Sequence, residues 1–341
     1  MKKKNYTLAD LAKKLNVSAT SISFILNGKA EEKRISADLK EKVLRFVEEV
    51  NYKPNLLARS FRTGKTNIIG LMVEDISNSF FSKLARLIEE KANQYGYKIL
   101  YGSTGNFPDK AKELMQMFID RRLDGYIIAP TEGIRDEIDQ LVTSNVPLVL
   151  FDRHYESSQH DYVVVDNYQS AFNAVKHLVD SGFKQIGFVT INSVQQQMQQ
   201  RLAGYQAAIE AFGLQPYIKV MPYNIDDAKK CKLIVDFLKK SKQLDAVFFS
   251  TNYLSINGLR AIKQLGLSIP NDLGVLSFDD HVAFELHQPT ITAIAQPIEE
   301  MADQLIKILF EKLSSSEQTL HQITLPGTLI FRESSQKTPF C

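Results

Sequence analysis

Polar residues able to hold a ligand recur in this chain at one kind of place, directly after a short apolar run. Glu74-Asp75 follows "NIIGLMV", Asp152-Arg153 follows "VPLVLF", Asp166-Asn167 follows "YVVV", Asn252 comes just after "LDAVFFS", and Asp279-Asp280 follows "LGVLSF". Carboxylates, amides and a guanidinium bind by hydrogen bonding and charge, which is the chemistry of holding a ligand. Signatures of turnover are missing. There is no Gly-x-Ser-x-Gly, no Gly-x-Gly-x-x-Gly after a strand and no phosphate-binding loop, so the chain reads as a binder and not an enzyme. His281 follows Asp279 and Asp280, but one His with two carboxylates lacks the supporting cluster of a metal site. Neither a metal nor a cofactor is expected.

The elements that must position these residues begin near Asn67. Short β-branched runs alternate there with amphipathic stretches such as Ser82–Tyr95, Asp109–Arg121 and Ser170–Ser181. Eight candidate strands, "NIIGLMV", "YKILYG", "DGYIIAP", "VPLVLFD", "YVVVD", "KQIGFVT", "LDAVFFS" and "LGVLSFD", are continuous in apolar character. Such runs separated by helices predict an α/β fold of parallel sheets covered on both faces. So many strands predict two doubly wound sheets, and in open sheets of this kind ligands collect at the carboxyl ends of strands.

The first fifty residues have a different character. Thr7 is placed to cap a helix over Leu8–Leu15, Ser18 a second over Ala19–Leu26 ended by Asn27-Gly28, and Ser36 a third over Ala37–Val50. The first two form a helix–turn–helix, whose second helix suits the major groove. Residues 1–66 hold 15 Lys and Arg against 7 Asp and Glu, a net of +8, while the rest of the chain holds 26 against 32, a net of −6. A basic head on an acidic body points to a polyanionic partner for the head alone. Its last part, "NYKPNLLARSFRTGKT", carries four cations and no anion, and yet includes the large aromatic Phe61.

Taken together, "TLADLAKKLNVSATSISFILNGK", "RISADLKEKVLRFVEEVNYKPNLLARSFRTGKT", "IIGLMVEDISNSFF", "VPLVLFDR", "VVVDN", "RLAGYQAAI", "GLSIPNDLGVLSFDD" and "PTITAIAQP" resemble the lactose-repressor/galactose-repressor (LacI/GalR) family, in order and over nearly the whole chain. The resemblance implies a helix–turn–helix head (1–52), a hinge helix (53–65) and a two-lobed core like periplasmic sugar-binding proteins (66–341). One lobe would hold about 66–167 and 296–327, the other about 168–295 and 328–341. It also implies a repressor that binds operator DNA as a homodimer and answers to a small-molecule effector, here a sugar or sugar derivative. No heptad tail follows Phe331, which favours a dimer over a tetramer.

The DNA contacts so implied are Thr7, Ser18, Ala19, Thr20, Ser23, Phe24, Asn27, Tyr52, Asn55, Ala58, Arg59, Phe61 and Arg62. Phe24 stands where relatives often carry Arg, and either touches a thymine methyl or turns into the head's own core. Phe61 stands where relatives carry a Leu that wedges into a base step in the minor groove, a role Phe can fill. The implied effector contacts are Asp75, Phe80, Phe81, Asp152, Gln195, Gln197, Arg201, Asn252 and Asp279. Two substitutions depart from the family pattern: Tyr253 replaces a usual Asp and Ser79 a usual Pro.

Other classes are disfavoured by composition. The 341 residues carry two cysteines, Cys231 and Cys341, too few for a disulfide framework. The start "MKKKNYTLADLAKKL" lacks the apolar run of a secretion signal, and no run approaches ~18 apolar residues, so a cytoplasmic protein with no membrane partner is expected.

Phe61 supplies the first test. Phe61→Ala should lower affinity for operator DNA by a few kcal/mol, the order of the gain from a wedge-induced kink. Affinity for scrambled DNA should barely move, because Arg59, Arg62 and Lys65 still meet phosphates. Gel shifts on both DNAs decide it, and equal losses on the two would make Phe61 a packing residue.

Overall fold

The computed structural model describes residues 6–52, 64–155, 159–315 and 319–337, and the chain divides into two compact units, Met1–Thr66 and Asn67–Cys341. Much of the expected hinge, including Asn55, Ala58, Arg59, Phe61 and Arg62, lies outside the described residues.

In the first unit, α1 (Leu8–Leu15) starts at a reciprocal cap. The Thr7 backbone N–H donates to Asp10 Oδ2 at 2.9 Å, and the Asp10 N–H donates to Thr7 Oγ1 at 3.2 Å. Asn16 ends α1 in the left-handed region, and Ser18 Oγ accepts from Ser21 N to start α2 (Ala19–Leu26). Ser36 caps α3 (Ala37–Glu49) in the same way. Helices of eight residues are marginal by themselves. What holds them is a shared core of Leu11, Leu15, Ile22, Ile25, Ala30 and Val43.

The second unit is built on two six-stranded sheets. The first has the order β11-β5-β4-β3-β1-β2 and is parallel throughout. Its strands are β1 (Ile68–Val73), β2 (Lys98–Ser103), β3 (Gly125–Ile128), β4 (Leu148–Phe151), β5 (Tyr162–Val165) and β11 (Gln322–Leu325). The second has the order β12-β10-β9-β8-β6-β7, with only β12 antiparallel. It comprises β6 (Ile186–Ile191), β7 (Tyr217–Met221), β8 (Ala246–Phe249), β9 (Gly274–Phe278), β10 (Thr292–Ala295) and β12 (Thr328–Ile330). The orders match position for position, so β4 in one sheet is the counterpart of β9 in the other.

Helices α4 (Ser79–Gln94), α5 (Pro108–Asp120), α6 (Arg135–Thr143) and α12 (Ile298–Ser314) accompany the first sheet. Helices α7 (Asn167–Asp180), α8 (Gln196–Ala211), α9 (Asp227–Lys240) and α10 (Asn252–Leu265) accompany the second, and the short α11 spans Val282–Leu286. The pleat of β1 shows why both faces need cover: Ile69, Leu71 and Val73 enter one apolar cluster, and Ile68 and Met72 the other. The chain passes between sheets three times, after β5, after β10 and between β11 and β12.

All eight runs expected as strands form strands. The four further ones have weaker signals: β7, β11 and β12 lie at sheet edges and are half exposed, and β10 is the small-residue run Thr-Ala-Ile-Ala. Two helices start three residues earlier than expected. Asn78 accepts from Phe80 N and Asp166 from Gln169 N, so Ser79–Phe81 and Asn167–Gln169 form first turns.

Close contact of α7 and α8 depends on Gly204, where an added Cβ would lie 2.2 Å from the Tyr168 carbonyl oxygen. Backbone cannot yield as a flexible side chain can, so Gly204→Ala should destabilise this unit by about 1–3 kcal/mol. Urea unfolding checks it, and an unchanged midpoint would mean that the helix pair tolerates the wider spacing.

Candidate functional site

On the head, Thr7 and Ser18 already engage their hydroxyls as caps at the N-termini of α1 and α2. Ala19, Thr20, Ser23 and Asn27 lie along α2 or at its end, with Thr20 and Asn27 exposed. Asn27 Nδ2 donates to Ser23 O at 2.7 Å, which fixes that amide's direction. Phe24 is half-buried with Lys33 Nζ 5.6 Å from its ring centroid, and it does not belong to the head's apolar cluster. Tyr52 packs against that cluster.

In the second unit, the carboxyl ends of β4 and β9 carry Asp152 and Asp279, both in the left-handed region at φ 66° and 67°. This is a strained conformation for a residue with a Cβ. It turns both carboxylates, from counterpart positions in the two sheets, onto one cavity of about 40 Å³. Arg201 on α8 meets Asp279 there. It is 3 % exposed and donates through Nη1 to Asp279 Oδ2 at 3.2 Å and Ser250 O at 2.8 Å. Its Nε donates to Asn167 Oδ1 at 2.9 Å, and the guanidinium carbon lies 3.6 Å from the Phe278 ring centroid. Asp279 Oδ1 also accepts from Gln296 Nε2 at 2.6 Å.

The opposite wall comes from the first sheet. Arg153, 4 % exposed, donates to Glu74 Oε2 at 2.7 Å, to Asp152 Oδ2 at 3.3 Å and to Pro130 O at 2.6 Å. Bonds then run between the walls. Tyr223 Oη donates to Glu74 Oε1 at 2.8 Å, Gln197 Nε2 to Asp152 Oδ2 at 3.2 Å, and Asn252 Nδ2 to Ser79 Oγ at 3.1 Å. Gln195 Nε2 also donates to Glu74, at 3.4 Å. The buried Gln197 Oε1 has no partner among the described residues. Sites for small ligands are commonly ~300–1,000 Å³. These cross-lobe bonds therefore have to part before a sugar-sized ligand can enter.

The sequence matches the family model for bacterial regulatory proteins of the lacI family over residues 7–55 and that for a periplasmic binding protein-like domain over residues 175–335. Catabolite control protein A of Priestia megaterium is 28% identical over 337 residues, covering 97% of this chain and 100% of that protein. The chain thus joins a lacI-family DNA-binding segment to a periplasmic binding protein-like domain, as its relatives do. The ribose operon repressor of Haemophilus influenzae is 27% identical, with 96% of this chain and 98% of that protein covered. Among solved structures, a lac repressor dimer bound to operator and the anti-inducer ONPF superposes at a TM-score of 0.85, 21% identical over 98% of this chain and all of that one. A regulator from Alkaliphilus metalliredigens complexed with D-xylulofuranose gives 0.70 at 25% identity, over 79% of this chain and 98% of that one. A chain of this make-up is a DNA-binding transcription regulator, not an enzyme.

Of the expected effector contacts in this core, Phe80, Phe81, Asp152, Gln195, Gln197, Arg201 and Asp279 line the cavity together. Phe80 and Phe81 are core as well, their ring centroids 5.0 Å apart in the cluster beneath the first sheet. Asn252, at the start of α10, is occupied with Ser79. Asp75 is a correction. It is exposed, and its carboxylate accepts from Ser77 N and Oγ in the turn into α4, while Glu74 faces the cavity. Sequence reasoning also passed over Tyr223 and Gln296. Glu74 had a signal, since it is the first polar residue after β1; Tyr223, in a loop, had none. His281 caps α11 and Asp280 pairs with Arg332, so neither is directed to a metal; among the described residues no metal-ligating cluster occurs.

Burial pushes the Asp152 carboxyl up from 3.8 to about 6, with Arg153 pulling the other way and Glu74 adding to the rise. A raised folded value makes the charged form the costly one. The stability that neutral Asp152 contributes is full below 3.8, declines as pH rises and is lost above about 6. Asp152→Asn, which tolerates the left-handed backbone, removes that dependence. Relative to wild type, the variant should therefore gain on the order of 2–3 kcal/mol between about pH 4 and pH 7. Urea unfolding across that range tests it; parallel pH profiles for the two proteins would place the Asp152 titration at its ordinary value.

Proposed function

We propose that this regulator is a cytoplasmic, homodimeric repressor whose affinity for operator DNA is set by a sugar or sugar derivative held between the core lobes. In this reading residues 1–52 read the major groove, 53–65 bend DNA through the minor groove, and 66–341 sense the effector. The observation that carries it is the convergence of Asp152, Asp279 and Arg201 on one cleft, from counterpart strand ends and an adjoining helix. Carboxylates that accept and a guanidinium that donates in a fork hold neighbouring hydroxyls in pairs. The phenylalanines beneath offer an apolar face to the C–H side of a sugar ring. Complexes of relatives with D-xylulofuranose and with cellobiose support the ligand class. An effector that binds one lobe arrangement better than another shifts DNA affinity by that difference in affinity.

Asp279→Asn and Arg201→Ala should each weaken binding of the effector by roughly 1.5–3 kcal/mol for every charge-assisted bond removed. The operator affinity set by the head should be retained in the absence of sugar. Calorimetry with D-xylulose, cellobiose and further sugars reads the first effect, and a gel shift the second. Wild-type affinity in both variants would remove this cleft as the sensor.

A further inference from the structure

The ionisable groups around the cleft do not balance. Three carboxylates, Glu74, Asp152 and Asp279, face two guanidiniums, Arg153 and Arg201. Asp279 is the carboxylate that pairs with Arg201, and Asp152 already lies beside Arg153. Arg153 is further held by Pro130 O and by Asn106 Oδ1 at 3.2 Å. Glu74, at 2.7 Å, and Asp152, at 3.3 Å, thus share the one guanidinium of Arg153, so the set carries one negative charge in excess, and Glu74 is the member whose removal leaves Arg153 a carboxylate and two further acceptors. Its side chain lies at the meeting of the lobes, accepting from Arg153 on one side and from Tyr223 and Gln195 on the other.

We propose that Glu74 is a specificity-determining residue of the cleft, rejecting phosphorylated and other anionic ligands and restricting the effector to an uncharged polyhydroxy compound. The inference rests on the reading of the cleft as a sugar-effector site. A phosphate monoester brings about −1.5 to −2 charges at neutral pH. Entering here, it would meet a carboxylate with both guanidiniums already paired. Gln197 suits a hydroxyl, since its buried Oε1 has no donor among the described residues; both members of a sugar–phosphate pair supply one, so the discrimination rests on charge. The remaining polar cavity groups, Asn78, Gln195, Thr251, Tyr253 and Gln296, are neutral and suit the same hydroxyls.

Calorimetry on the full chain tests this with matched pairs: D-ribose and its 5-phosphate, D-xylulose and its 5-phosphate, D-glucose and its 6-phosphate. Wild type should bind at least one parent sugar and prefer it over its phosphate by about two orders of magnitude, the scale of a like-charge clash in a desolvated site. Glu74→Gln should narrow that preference about tenfold or more, and Glu74→Asp, which keeps the charge, should retain it. A purely structural Glu74 would shift the affinities for both members of a pair together and leave their ratio alone, which would overturn the proposal. So would a phosphate ester that binds wild type as tightly as its parent, a result read without any variant and leaving the sugar reading intact. If no member of the panel binds, the sugar reading fails and this inference falls with it.

Discussion

A guanidinium taken out of water costs several kcal/mol unless charge and hydrogen bonds replace what water supplied. Arg201 is placed under that constraint, and much of the second lobe is arranged to meet it. Asn167 supplies an acceptor from the first turn of α7, Ser250 from the end of β8, and Asp279 from the end of β9. Each partner lies where a strand ends or a helix begins, so pairing Arg201 requires α7 and α8 to approach closely. Gly204, one turn along α8 from Arg201, makes that approach sterically possible.

The first lobe solves the same problem with Arg153, in a way that involves both lobes. Glu74 bonds that arginine and also accepts from Tyr223 and Gln195. Charge satisfaction within one lobe is thereby tied to contact with the other. Entry of a ligand must exchange these bonds for its own, so its affinity is a difference between two sets of hydrogen bonds. Selectivity then depends on which donors and acceptors the ligand can return.

Most of the fold was legible because the central strands are buried on both faces, which leaves unbroken apolar runs such as those of β1, β6 and β9. Strands β7, β11 and β12 escaped because their partly exposed residues break the apolar run, and β10 because Thr and Ala pack where bulky β-branched residues were sought. At the site, strand-end logic reached Asp152 and Asp279, and family resemblance added Arg201 and Gln197. It failed between Glu74 and Asp75, where neighbouring carboxylates leave the backbone on different sides and only the turn geometry selects one. Tyr223 reaches the cleft from a loop, and no periodicity announces a loop residue's direction.

The three passages of the chain between the sheets bear on mechanics. Two bodies joined by a single tether are free to translate, twist and tilt. Three tethers side by side oppose sliding and separation, since every one of them would have to stretch, and leave rotation as the compliant motion. Gln296 lies on one of those passages and donates to Asp279 in the cleft. A change in the angle between the lobes is thus coupled by one hydrogen bond to the carboxylate that holds Arg201, and the binding site and the pivot share a part.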